Sequence, residues 1–341
     1  MLATAESCEA SGSLFQLFNI LLVTIGVAIL YWGADWLIRG SAQVARAFGV
    51  KPLVVGLTVV AYGTSAPELA VATQTALSHH EPIALGTVIG SCAANISLIL
   101  GITALISPPT IDGRIIRREV PVLLGSAIAV PLLFRNGVLS HYEGLILILC
   151  AVVFTVATLT VSARLDPDDS LETETRRTAE SGAALGGKRR PNASRATSAL
   201  QTAVGLVLLV VGSDLFVRGG RGIGAELGIS ERMLGLTVIS IGTALPELIG
   251  SIVAASRGQS ALAIGSVIGS NVLNVFLVLG VTAYLRPIHA GELMHLSDLI
   301  GLVVITLLGI VMLRGSRKIS RFEGLILVLA YVAFITTAAL F

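Results

Sequence analysis

The chain has 341 residues, 54% of them hydrophobic and 13% charged, with a mean hydropathy of +0.87. An ordinary soluble domain carries about 25% charged residues, so this composition excludes a soluble globular protein and points to an integral membrane protein. The net charge of +2 gives no basis for binding nucleic acid, and the three cysteines, Cys8, Cys92 and Cys150, are too few and too scattered for a disulfide framework or a zinc cluster.

Taken in chain order, apolar stretches of the roughly 20 residues needed to cross a hydrocarbon core fall near 15–37, 52–78, 82–107, 119–134, 142–163, 201–218, 232–256, 260–285, 297–314 and 322–341. These are ten spans. The first is too long for a signal-peptide core and follows Glu6 and Glu9 rather than a basic segment, so it is read as retained.

The loops after spans 1, 3, 5, 7 and 9 carry 18 of the 23 lysines and arginines. By the positive-inside rule these loops face the cytoplasm, and both termini of this multi-pass cell-membrane protein lie outside. One hydrophilic segment, 164–200, mixes basic with acidic residues among Ser, Thr, Gly and Ala and reads as a flexible cytoplasmic linker. Asp166, Asp168 and Asp169 cluster in it as a candidate ion-sensing loop, but their spacing lacks the glycine and terminal glutamate of a calcium loop. The chain then divides into a first five-helix unit at 1–163, the linker at 164–200, and a second five-helix unit at 201–341.

The two units are copies. "GLTVVAYGTSAPEL" at 56–69 returns as "GLTVISIGTALPEL" at 235–248, nine of fourteen positions identical, a shift of 179 residues. "ALGTVIGSCAANISLILGITA" at 84–104 matches "AIGSVIGSNVLNVFLVLGVTA" at 263–283 with the same shift and twelve of twenty-one identities. "GADWLIR" at 33–39 parallels "GSDLFVR" at 212–218, and "HYEGLILIL" at 141–149 parallels "RFEGLILVL" with one residue inserted. Five spans per unit is an odd number, so equivalent helices run in opposite directions through the bilayer. The expected fold is all-α, with ten transmembrane helices in two inverted-topology repeats of five, the build of many secondary transporters with a midplane site.

Glu68 and Glu247 sit in apolar surroundings, where an ionised carboxylate costs on the order of 3 kcal/mol and faces a cavity or a partner. No lysine or arginine lies at comparable depth in spans 2, 3, 7 or 8, which makes a bound cation the expected partner. Pro67 and Pro246 directly precede the acids, and each should break its helix and free carbonyl oxygens around 61–64 and 240–243. Thr64 and Thr243 add hydroxyls, and Ser91 with Asn95, like Ser270 with Asn274, lies at i, i+4 on one helical face, so together they could complete an oxygen cage for a hard cation such as Ca²⁺ or Na⁺.

Other repeated residues have structural readings. Gly86, Gly90, Gly101, Gly265, Gly269 and Gly280 would let helices approach closely. Asp35 and Asp214 each have an arginine four residues on, Arg39 and Arg218, which suggests local ion pairs. Glu143 and Glu323 suit helix N-termini.

At the paired motifs the chain resembles the calcium/cation antiporter superfamily, specifically the prokaryotic sodium/calcium exchanger type, whose two repeats carry G-T-S-x-P-E followed by G-S-N-x-x-N/D. The resemblance covers nearly the whole chain. It implies that Glu68 and Glu247 are the central calcium ligands, that Thr64 and Thr243 supply backbone oxygens, and that Ser91 and Ser270 serve flanking sodium sites. It also puts Ser65, Asn95 and Asn274 in the site, together with the carbonyls of Ala61 and Ser240. It implies no cofactor, only transported Ca²⁺ and Na⁺, and alternating access by sliding or rocking of spans 1 and 6 against the remaining helices. The chain departs from the pattern at Ala244, where the repeat favours serine, and at Cys92, whose counterpart is Asn271. Two asparagines, Asn95 and Asn274, leave the central site with two carboxylates.

Rival readings are a calcium/proton antiporter using the same glutamates, an ion channel with a glutamate ring, and an intramembrane enzyme. Inverted repeats with broken helices argue against the channel. There is no HExxH motif, and the His80-Glu81 pair runs into Pro82, which argues against the enzyme.

Overall fold

The computed structural model describes residues 2–48, 52–111, 113–163, 195–228, 230–289, 296–315 and 318–340. The candidate ion-sensing aspartates, Asp166, Asp168 and Asp169, lie outside them.

Among the described residues, ten helices are long and apolar enough to cross a membrane: spans 1 to 10 are Gln16–Ser41, Leu53–Leu77, Glu81–Ile106, Arg117–Asn136, His141–Thr160, Ala196–Gly224, Arg232–Ser256, Ser260–Leu285, Ser297–Arg314 and Arg321–Leu340. Their outer faces keep large apolar side chains exposed, Trp32, Trp36, Val153, Val311 and Leu329 among them, as a lipid-facing belt requires. The helix carrying span 6 already runs from Arg195, six residues before the expected boundary at 201, because the RATSALQTA stretch contains no helix breaker.

Spans 3 and 8 are the centre of the molecule, with 78% and 89% of their most apolar stretch buried, against 28% and 29% for spans 1 and 6. The glycines explain the close packing. A Cβ on Gly56 would lie 2.7 Å from the Leu262 carbonyl oxygen, and one on Gly235 would lie 2.9 Å from that of Ile83, which is Leu262's equivalent 179 residues earlier. In the same reciprocal way Gly86 abuts the Arg232 carbonyl and Gly265 that of Leu53, while Gly90 meets Leu236 and Gly269 meets Leu57. Gly101 approaches Gly324, and Gly280 approaches Gly144. The packing role expected for these six glycines therefore holds.

Spans 1 and 6 pair through a feature not read from the sequence. Gly26, Gly33 and Gly40 recur every seven residues, as do Gly205, Gly212 and Gly219, and the two ladders meet antiparallel: Gly26 against Gly212, Gly33 against Gly205 and Leu209, Gly40 against Thr202. Small residues at this spacing bring two backbones into contact along their length. Asp35 pairs with Arg39 at 2.8 Å, as its spacing suggests, but also with Arg257 at the end of span 7, tying span 1 to the core. Asp214 pairs with Arg218 at 2.9 Å.

Charges at the other helix ends are likewise placed by physics. Ser140 donates its N–H and hydroxyl to Glu143 Oε2, both at 2.8 Å, and Ser320 does the same to Glu323 at 2.7 Å, so each acid closes a capping box. Arg232 grips buried Asp298 with two bonds, at 3.0 and 2.9 Å. The equivalent positions in the first repeat hold Leu53 and Glu119, so this bidentate pair has no copy there. A two-residue ribbon, Val138–Leu139 with Ile288–His289, joins the connections after spans 4 and 8.

Candidate functional site

Four of the central spans are irregular at matching places. Gly56–Val60, Ala94–Ile99, Gly235–Ile239 and Asn274–Leu279 are π-helical, a widened turn that seldom persists without functional cause. Just beyond the first and third of these, the chain turns at Ser65 (φ −79°, ψ 0°) and at Ala244 (φ −84°, ψ 0°) before helix resumes.

The break is milder than the prolines suggest. Pro67 and Pro246 occupy the first turn of the resumed helices, where a missing N–H costs nothing. The carbonyls of Ala61 and Ser240 are not freed: they accept the amides of Ser65 and Ala244, each at 3.0 Å. A second lone pair on each oxygen is still available to a ligand. The widened turns, not the prolines, are the larger irregularity, and a helical sequence offers no pattern that announces them.

Glu68 and Glu247 fall in the first turns of the resumed helices, at the end of the helix dipole that favours negative charge. Both are completely buried. Thr243 faces the Glu68 carboxylate and Glu247 lies near it, while Thr64, Ser270 and Ser65 face that of Glu247. None of the four carboxylate oxygens has a partner in hydrogen-bonding geometry among the described residues. Among the described residues neither glutamate belongs to a salt bridge.

The remaining candidates gather in the same interior. Thr64, Ser91, Asn95, Ser240, Thr243, Ser270 and Asn274 are fully buried, and Ser65 is nearly so. The Thr64 and Ser270 hydroxyls are 3.4 Å apart, those of Thr243 and Ser91 are 3.5 Å apart, and Ser91 also donates to the Ser240 carbonyl at 3.3 Å. Among the described residues, the side-chain nitrogen and oxygen of both Asn95 and Asn274 lack partners, as does the Ser65 hydroxyl.

The two departures have structural consequences. Ala244 leaves Glu68 without the hydroxyl that Ser65 presents to Glu247. The Ser240 hydroxyl, one turn earlier, does not replace it, since it turns back to the Leu236 carbonyl at 2.6 Å. Cys92 packs its sulfur 3.8 Å from the Asn271 carbonyl, and the Asn271 amide donates along its own helix to Val267.

Two neighbouring buried acids with no counter-charge among the described residues, inside ten apolar helices built from a repeated unit, are the build of a secondary membrane transporter. The family signature described as sodium/calcium exchanger protein matches residues 18–160 and 197–340, and the chain belongs to that family. It is 31% identical over 92% of its length to the inner membrane protein YrbG of Escherichia coli, covering 94% of that protein. It is 28% identical to the sodium/calcium exchanger MaX1 of Methanosarcina acetivorans, over 93% of this chain and 97% of that one. The solved structure of the sodium-calcium exchanger NCX_Mj, soaked with 2.5 mM Na⁺ and 0.1 mM Ca²⁺, superposes with a TM-score of 0.74 at 30% identity, over 93% of this chain and 97% of that one. MaX1 and NCX_Mj are exchangers, and this protein, a member of the exchanger family, is a transporter and not an enzyme.

Proposed function

We propose that the protein is a secondary active antiporter that exchanges Ca²⁺ for Na⁺ by alternating access, with the cations bound at a midplane site built by both repeats. The observation that carries this reading is the group of four buried carboxylate oxygens on Glu68 and Glu247, without partner or counter-charge among the described residues, ringed by hydroxyls and amides from both halves. Two carboxylates neutralise one Ca²⁺, and the surrounding neutral oxygens supply the six to eight contacts such an ion takes. In this reading Glu68 and Glu247 bind Ca²⁺ directly. Thr64, Thr243, Ser65, Ser91, Ser270, Asn95 and Asn274, with the carbonyls of Ala61 and Ser240, complete the cage and serve Na⁺ when it displaces Ca²⁺.

Competition for shared oxygens couples the two ions, and the parity of five spans per repeat supports a site that opens to either side. The glycine-laddered pair of spans 1 and 6 is the unit that would slide or rock across the central spans. The distribution of basic residues supports both termini outside and the linker in the cytoplasm of a cell membrane. Ala244 favours a second reading, Ca²⁺/H⁺ exchange on the same glutamates, because it removes a hydroxyl suited to Na⁺.

Calcium uptake into Na⁺-loaded proteoliposomes diluted into Na⁺-free buffer, beside a set driven by a pH gradient alone, tests the proposal. Uptake driven by the sodium gradient supports sodium exchange. Uptake driven by the pH gradient alone moves the protein to the proton reading.

A further inference from the structure

We propose that Ser251 and Thr103 form a sodium transit site on one side of the central cage, next to Glu247 and toward the turn at 256–259. The proposal rests on the antiport reading above and adds residues to it.

Buried hydroxyls in this protein are as a rule satisfied by their own helix. Ser41 donates to Leu37 at 2.7 Å, Thr58 to Val54 at 2.6 Å, Thr75 to Val71 at 2.8 Å, Thr87 to Ile83 at 2.7 Å and Thr306 to Leu302 at 2.8 Å. Ser251 and Thr103 are each 1% exposed, and their hydroxyls have neither this bond nor any other partner among the described residues. Ser65, which faces Glu247, shares the trait. A dry hydroxyl left unbonded is costly, and both positions could have bonded back along the helix, as their neighbours do. Their oxygens are held available to something that comes and goes.

Position says what that is. Ser251 lies four residues after Glu247 and so on the same face of span 7, one turn further along. The segment that carries it, Leu245–Ser256, packs on Leu100–Ile106, which carries Thr103. The equivalent packing on the opposite side, Ala66–Leu77 on Gly280–Leu285, closes a hydroxyl pair: Thr73 lies 3.3 Å from Thr282. Thr103 is the counterpart of Thr282, but the counterpart of Thr73 is Ile252, so Thr103 loses that partner and a hydroxyl appears one position earlier, at Ser251. The side beyond Glu247 therefore has two open hydroxyls where the side beyond Glu68 has a closed pair. Neutral hydroxyls beside one carboxylate suit a monovalent hard cation better than Ca²⁺, which seeks more oxygens and more charge.

The test uses the full-length protein in membrane vesicles of both orientations, with sodium-driven calcium flux measured against Na⁺ concentration at each face in turn. Ser251→Ala and Thr103→Val should each raise the half-saturating Na⁺ concentration roughly fivefold at one face and leave the other unchanged, as loss of a single contact predicts. Ile252→Thr should do the same, by giving Thr103 the partner that Thr282 has; this third variant keeps the test informative if Ser251→Ala fails to fold. Wild-type exchange with all variants unaltered, or altered equally at both faces, overturns the transit site and leaves the antiport reading standing. A wild type with no sodium-coupled flux at all removes both.

Discussion

The Thr64 hydroxyl of the first repeat lies 3.4 Å from that of Ser270 in the second, and the equivalent pair, Thr243 and Ser91, lies at 3.5 Å. Each repeat thus supplies the span 2-type helix to one contact and the span 3-type helix to the other. Neither contact can be assembled from one half alone, and a displacement between the halves changes both together.

The first expectation concerns the acids. Glu68→Gln and Glu247→Gln each remove one of the two carboxylates of the proposed cation site. Calcium flux in proteoliposomes should fall at least about 100-fold in either variant, on the scale of losing a charge-assisted contact in a dry interior. Size-exclusion profiles should match the wild type, since an isosteric amide removes a buried charge without opening a cavity. Undiminished flux in both variants would refute the site.

Ala244→Ser rebuilds the hydroxyl that Ser65 presents in the other repeat. If sodium is the counter-ion, the half-saturating Na⁺ concentration should fall roughly threefold to tenfold, the worth of one added hydroxyl contact. An unchanged sodium dependence together with an intact pH-driven flux would favour the proton reading.

Gly269→Ala tests the packing of the central helices. Its methyl would lie 2.8 Å from the Ala61 side chain and 3.0 Å from the Leu57 backbone, so overpacking should cost about 1–3 kcal/mol and lower the thermal midpoint in detergent. Gly250→Ala, where nothing lies within 4 Å of the added carbon, should leave the midpoint unchanged or raise it.

Arg232→Leu strands Asp298, which is 1% exposed, and should destabilise the protein by about 3–5 kcal/mol. Combining it with Asp298→Leu should recover most of the loss, because the first repeat already carries Leu53 in the arginine's place. Thermal denaturation of the two single variants and the double variant closes that cycle.

Much of the architecture was legible in the residues. Ten spans follow from hydropathy because the bilayer imposes a length and forbids unpaired backbone, and the two-repeat plan follows from a constant shift of 179. The burial of Glu68 and Glu247 was legible for the same reason: both acids stand inside apolar spans. The roles of Gly90, Gly269, Glu143 and Glu323 also followed from local rules of helix packing and capping.

Tertiary structure alone decided where helices widen, which hydroxyls are satisfied and which charges distant in sequence meet. The π-helical turns at Gly56–Val60 and Asn274–Leu279 have no signature in a run of apolar residues, because they are set by what packs across from them. Arg257 meets Asp35 over 222 residues of chain, a distance no periodicity reports. Ser41 and Ser251 look alike in sequence, yet the first bonds its own helix and the second finds no partner among the described residues. Composition and spacing follow from the solvent the chain must live in, whereas satisfaction of a polar atom depends on the neighbours that folding brings to it.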